Sequence, residues 1–116
     1  MNIVASKSKS FAVRIVRMCQ HLQANHLEYV LSKQVLKSGT SIGANVHEAT
    51  QAFTHADFTH KMSIALKESV ETEYWLELLS ETDYLSKAEF DSLLADNKEL
   101  TKLLTAILNT ARNHSK

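Results

Sequence analysis

Carboxylate and histidine side chains are the groups in this sequence with the chemistry to hold a metal ion. Four-helix di-iron proteins need Glu-x-x-His on two helices and a further Glu from each of the other two. No Glu here has His three residues later, and Asp57 with His60 is the only acidic-x-x-His pair. Glu68 and Glu71 could both face inward, where we expect salt bridges to basic residues of the preceding helices. The sequence therefore predicts no metal ligands.

Residues suited to nucleophilic or phosphate chemistry are also poorly placed. None of the six His has another His four positions away, the spacing that puts two imidazoles on one helix face. The segment 38–43 lacks the Gly-Lys-Ser/Thr ending of a phosphate loop, and Ser41 lacks the Gly-x-Ser-x-Gly surroundings of a hydrolase nucleophile. We therefore expect no enzyme activity, no catalytic residue, no cofactor and no small-molecule substrate.

The composition favours one all-helical domain. The 116 residues include two Gly and no Pro, so little interrupts long helices. No apolar run approaches the roughly 18 residues of a membrane span, and residues 1–10 lack the apolar core of a signal peptide. We expect a cytoplasmic protein without membrane contact. Cys19, the only cysteine, lies among apolar residues and is predicted to be a core residue.

Apolar spacing predicts four helices, over approximately residues 6–24, 26–51, 55–82 and 87–112. The predicted start signals each combine a capping residue with an acidic residue three positions later: Asn25 with Glu28, Thr54 with Asp57, and Ser86 with Glu89. Connections of a few residues imply antiparallel neighbours. The expected fold is an all-α, antiparallel, up-down-up-down four-helix bundle that forms a single domain over residues 1–116.

The second helix contains Gly39 and Gly43, and two glycines in a helix cost roughly 1 kcal/mol each relative to Ala. A break across residues 38–43 is therefore the main alternative. We predict a continuous helix, because the apolar spacing keeps its phase on both sides of the glycines. Glycines one turn apart would also let another helix pass close by, so Gly43→Leu should be strongly destabilising.

Polar residues form a line along the second helix at steps of four and three: Gln34, Ser38, Ser41, Asn45 and Glu48. We expect this line to be buried, so its members need hydrogen-bond or ion-pair partners. We predict a network with Glu68, Glu71 and nearby basic residues that fixes the register between helices or between subunits.

The predicted third helix has two stripes that contain apolar residues, on adjacent faces. Packing within a single four-helix bundle covers only one of these stripes. Ile64, Trp75 and Leu78 share the second stripe with Glu68 and Glu71. We predict that these three apolar residues are at least partly buried against another subunit or another helix. The competing interpretation makes Trp75 an ordinary core residue of the monomer.

The charges are unevenly distributed although the net charge is zero. Residues 1–47 have six Lys and Arg against one Glu, a balance of +5, whereas residues 48–100 have a balance of −8. Such asymmetry serves nucleic-acid binding, pairing between helices, or contacts between identical subunits. The candidates for RNA or partner contact are Lys7, Lys9, Arg14, Arg17, Lys33 and Lys37.

Four segments of the sequence together resemble a known family. They are residues 31–49 (LSKQVLKSGTSIGANVHEA), residues 56–58 with 64–68 (ADF and IALKE), and residues 71–79 (ETEYWLELL). The chain resembles the bacterial four-helix bundle proteins encoded within intervening sequences of large-subunit ribosomal RNA genes, sometimes labelled ribosomal proteins.

This resemblance implies a ring-like homopentamer without known enzymatic activity. A more distant relative assists reverse transcriptases of diversity-generating retroelements and binds nucleic acid on a basic surface, whereas this chain has zero net charge. The leading hypothesis is a non-enzymatic, self-associating scaffold whose oligomer presents a surface to RNA or to a partner protein. The alternative is a protein-interaction module without nucleic-acid contact.

Overall fold

The computed structural model describes residues 2–114 and consists of four helices joined by short connections. The helices are α1 (Ile3–His26), α2 (Val30–Thr50), α3 (His55–Glu81) and α4 (Lys87–His114). Each helix packs along the next in sequence, and α4 also contacts α1 over a smaller surface. The elongated bundle measures 49 × 23 × 21 Å. These features confirm the predicted all-α four-helix bundle.

Two of the predicted helix starts have the expected cap geometry. The Thr54 hydroxyl accepts a hydrogen bond from the backbone N–H of Asp57 at 3.0 Å. Ser86 and Glu89 form a reciprocal capping box, with distances of 3.1 and 3.0 Å. Hydrogen bonds from Ser86 hold the pKa of Glu89 below its usual range. The first helix begins earlier than predicted because the side chain of Asn2 caps it.

The predicted start of the second helix at Asn25 is wrong. The first helix continues past Asn25 and ends at His26, and the following residue, Leu27, caps it with a φ of 53° in the left-handed region. The carboxylate of Glu28 then caps α2, accepting hydrogen bonds from the backbone N–H groups of Ser32 at 2.8 Å and Val30 at 3.3 Å. The acidic member of the pair therefore supplies the cap, because Asn25 is held inside a helical turn.

The second helix is unbroken through both glycines, as predicted. It passes close to α1 at these positions. A Cβ added to Gly39 would lie 2.9 Å from two side-chain carbons of Ile15, and one added to Gly43 would lie 3.2 Å from the carbonyl oxygen of Ser8. Glycine at both positions thus permits the contact between α1 and α2.

Aliphatic and aromatic side chains from all four helices fill the core. The largest completely buried side chains are Phe11, Ile15, Leu22, Val35, Ile42, Val46, Met62, Leu76, Leu79, Leu100, Leu104 and Leu108. The predicted inward seam of α3 is buried from Met62 to Leu79, and Phe58 at its beginning is half-buried. Within residues 2–114, no helix has both the length and the apolar character that crossing a membrane requires.

Candidate interaction surfaces

The carboxylates with the best spacing for metal binding lie on the outside of the bundle. Glu71 is exposed and accepts a hydrogen bond from Trp75 Nε1 at 3.0 Å. Glu68 is half-buried, and burial together with the charge of Glu71 raises its pKa despite the opposing effect of Lys37. In the described part of the chain, no three His, Cys, Asp or Glu side chains are grouped to hold a metal ion. Both glutamates therefore contribute negative charge to a surface.

The polar line of α2 is not one buried network. Only Ser38 is buried, where its hydroxyl lies 2.9 Å from the hydroxyl of Thr72 on α3. Ser41 and Asn45 are half-buried and donate to carbonyl oxygens of their own helix. The other two members of the line are exposed: Gln34 and Glu48, the latter in an ion pair with Lys61 at 2.9 Å. The expected burial of the whole line is wrong, because the line follows the outer edge of the α2–α3 contact. A role between subunits stays a prediction.

A polar cluster that the sequence analysis missed joins α3 to α4. Asn97 is completely buried, and its Nδ2 donates to the carbonyl oxygen of Ser69 at 2.8 Å. The hydroxyls of Ser69 and Thr101 lie 3.1 Å apart. Among the described residues, Asn97 Oδ1 has no hydrogen-bond partner. The signal in the sequence was the position of Asn97 on the apolar stripe, four residues after Leu93.

The six candidate cations fall into two groups. Lys7 and Arg14 form ion pairs with carboxylates of α4, Lys7 with Glu99 at 3.1 Å and Arg14 with Asp96 at 2.7 Å. The basic first helix is therefore partly neutralised by acidic residues of α4 in the same chain, which explains part of the uneven charge distribution. The cations of the second group are exposed, and the described residues provide them with no ion pair: Lys9, Arg17, Lys33 and Lys37.

A groove of about 960 Å³ runs along the outside of α1 and α2. Its walls and floor include small and apolar residues, Ala5, Ala12, Val13, Val16, Gly43 and Ala44. Lys9, Arg17 and His47 add cationic or titratable groups to the lining. The groove follows from the close approach of the two helices, because small side chains at the contact leave room outside it. We call this surface the α1–α2 groove.

Apolar and acidic side chains share the outside of α3. Ile64, Trp75 and Leu78 are each half-buried, and Trp75 packs partly against the core. Tyr74 remains 57% exposed, with its ring in an edge contact to Trp75 at 5.0 Å between centroids. We call the surface formed by these four residues and Glu71 the α3 outer face.

The single thiol lies inside the bundle. Cys19 is buried, and its Sγ lies 3.3 Å from the carbonyl oxygen of Ser32. Burial, with a smaller contribution from the charge of Glu28, raises the pKa of Cys19 to about 11. Thiolate is the reactive form of cysteine, so both access and ionisation oppose reaction.

We expect native Cys19 to react with iodoacetamide at pH 8 at least tenfold more slowly than the unfolded chain. The folded pKa of about 11 keeps the thiol protonated at that pH, whereas an unperturbed thiol ionises near 8.5. Mass spectrometry of timed samples, with and without urea, measures both rates. Equal rates would show that Cys19 is accessible and ionised in the native protein.

The sequence and the fold both have close counterparts. The family model of the 23S rRNA-intervening sequence protein matches residues 1–106. A solved structure from Bacteroides thetaiotaomicron VPI-5482, described as a protein with unknown function from the S23 ribosomal protein family, is 52% identical with a TM-score of 0.90. The similarity covers 91% of this chain and 98% of that chain. No curated protein matches this sequence. The chain belongs to the 23S rRNA-intervening sequence protein family.

Proposed function

We propose that this protein is a non-enzymatic helical scaffold that associates with further copies of itself and presents exposed cations of α2 to RNA. The α3 outer face carries the first part of this proposal. Tyr74, with more than half of its surface exposed, makes an edge contact with the half-buried Trp75, and Ile64 and Leu78 are half-buried elsewhere along the same helix. Aromatic residues are enriched in protein interfaces, where a second chain covers them.

Self-association is tested by sedimentation velocity of the wild-type protein over a dilution series. We expect a species whose mass is a multiple of 13.1 kDa and which dissociates on dilution. The resemblance to the family favours five chains. A mass of 13.1 kDa at all concentrations would rule out the scaffold.

Contact with RNA is supported by Lys33 and Lys37, which are exposed one turn apart on α2 and form no ion pair within residues 2–114. Each phosphate contact releases counterions, so affinity for RNA falls as salt rises. The family description also refers to 23S rRNA. Lys7 and Arg14, which pair with carboxylates of the same chain, are weaker candidates.

We expect the double substitution Lys33→Glu and Lys37→Glu to weaken binding of a 23S rRNA transcript at low salt by tenfold or more. It should also flatten the plot of log affinity against log salt by about 0.7 for each lost contact. Filter binding at low and moderate salt measures both effects. The matched control is Lys87→Glu with Lys102→Glu, the same charge change on α4.

The second candidate function is a protein-interaction module without nucleic-acid contact. The observation in its favour is the pairing of Lys7 and Arg14 within the chain, together with zero net charge. Equal, weak and salt-independent binding of RNA by the wild type and the double variant would select this alternative.

A further inference from the structure

We infer that the α1–α2 groove is the docking site for the α3 outer face of a second copy of this chain. The inference rests on the proposed self-association and assigns the two surfaces that would meet. Both surfaces are elongated parallel to a helix axis, and they lie on different helices of the same bundle. A contact between them is therefore head-to-tail, with each surface meeting its complement rather than itself.

The shapes of the two surfaces are complementary. The groove is lined by small side chains such as Ala5, Gly43 and Ala44, which leave space for larger groups. The α3 outer face supplies such groups, because Tyr74 is 57% exposed and Trp75 lies beside it with its ring only half-buried. Large aromatic side chains seated in a pocket are the usual anchors of protein interfaces.

The charges of the two surfaces are complementary as well. Lys9 and Arg17 line the groove. Within residues 2–114, Arg17 donates a side-chain hydrogen bond to Gln20 Oε1, and neither cation has an ion pair. The α3 outer face carries the exposed Glu71, and Glu68 lies beside it. Burial and, to a smaller extent, the charge of Glu71 raise the pKa of Glu68, so cations from a second chain would relieve the repulsion between the two carboxylates. Complementary charge of this kind favours one pairing over others.

A head-to-tail contact leaves one free groove and one free α3 outer face on every dimer. Association therefore continues until the rotation between neighbours closes a ring.

This geometry makes a mixing experiment with two variants decisive. In one variant, Ala44→Arg blocks the groove by adding a large side chain at an exposed position of its lining. The other has a blocked face, Tyr74→Arg, which opposes the cations of the groove.

We expect each variant alone to be a folded monomer of 13.1 kDa by light scattering, with the helical circular dichroism of the wild type. An equal mixture should form dimers and nothing larger, because only one groove and one face in each pair remain intact. Dimer formation also proves that both variants fold. Ala106→Arg, at an exposed position of α4, is the control and should keep the wild-type mass.

The outcomes separate the inference from the proposed self-association. A monomeric wild type contradicts self-association itself, and the groove is then open to another occupant such as an acidic helix of a different protein. An oligomeric wild type whose mass survives Ala44→Arg or Tyr74→Arg overturns the assignment of surfaces but leaves the scaffold intact. Two monomeric variants that stay monomeric when mixed also overturn the assignment.

Cysteine cross-linking gives an independent measurement that needs no loss of assembly. Chains with Val13→Cys are mixed with chains with Tyr74→Cys and oxidised; Cys19 is buried and does not compete. We expect the mixed disulfide between the two kinds of chain to exceed either like-with-like disulfide at least tenfold. Equal amounts of all three products would contradict the proposed contact.

Discussion

Replacing Gly39 by leucine is expected to lower the free energy of unfolding by about 2 to 3 kcal/mol, even though leucine favours helix over glycine by roughly 1 kcal/mol. The Cβ alone would lie 2.9 Å from two carbons of Ile15, and Ile15 is completely buried. A buried, branched side chain has little room to move, so α1 and α2 must separate. Their separation would in turn disturb the core around Ile15.

Urea denaturation at fixed protein concentration measures this effect. Gly43→Leu should also be destabilising, because its Cβ would lie 3.2 Å from a backbone oxygen that moves only with the whole helix. Ala106→Leu adds a leucine at an exposed helical position and should change stability by less than about 0.5 kcal/mol. Gly39→Leu with the same midpoint as this control would show that α1 and α2 do not pack as described.

Helix starts show which local signals can be interpreted from sequence. Ser86 and Glu89 are followed by a helical stretch and preceded by a turn, so the capping box can form. The same spacing at Asn25 and Glu28 fails because α1 has not yet ended there. The left-handed conformation at Leu27 determines the end of α1, and a leucine gives no sequence signal for it.

Burial of polar residues was harder to predict than the apolar core. Gln34, Ser38 and Glu48 lie on one line in the sequence, but small differences in angle place only Ser38 between the helices. Those angles depend on where α3 packs, which the sequence of α2 does not specify. Asn97 is the opposite case, a polar residue whose burial was not predicted. It can be buried on an apolar stripe because its amide donates a hydrogen bond to the backbone oxygen of Ser69.

Surface partners depend on packing between helices that are distant in sequence. Lys7 and Lys9 are the same type of residue and only two positions apart, yet Lys7 forms an ion pair with Glu99 and Lys9 lines the α1–α2 groove. The difference arises because α4 contacts one side of α1 and α2 the other. The basic character of the first helix was therefore predictable, but the availability of each cation was not.

Replacement of Trp75 by alanine should have the second large effect, on assembly. In the single chain Trp75 is half-buried, and its Nε1 donates to Glu71 at 3.0 Å, which holds the ring on the outside of α3. Truncation of an interface aromatic often costs 2 kcal/mol or more, about a 30-fold loss of affinity at each contact. A ring loses several contacts at once, so we expect a folded monomer. The competing interpretation, an ordinary core residue, predicts lower stability with unchanged mass.

Phe53 provides the matched control for loss of an aromatic side chain. It lies in the connection between α2 and α3 and is completely exposed, so Phe53→Ala should change neither mass nor stability. Circular dichroism of Trp75→Ala shows whether the chain keeps its helical content.

Self-association through the α3 outer face is tested most directly by the mass in solution of the wild type, Trp75→Ala and Phe53→Ala at one concentration. We predict an oligomer for the wild type and for Phe53→Ala, and a helical species of 13.1 kDa for Trp75→Ala. A wild type of 13.1 kDa, or a Trp75→Ala protein with the wild-type mass, would contradict the account.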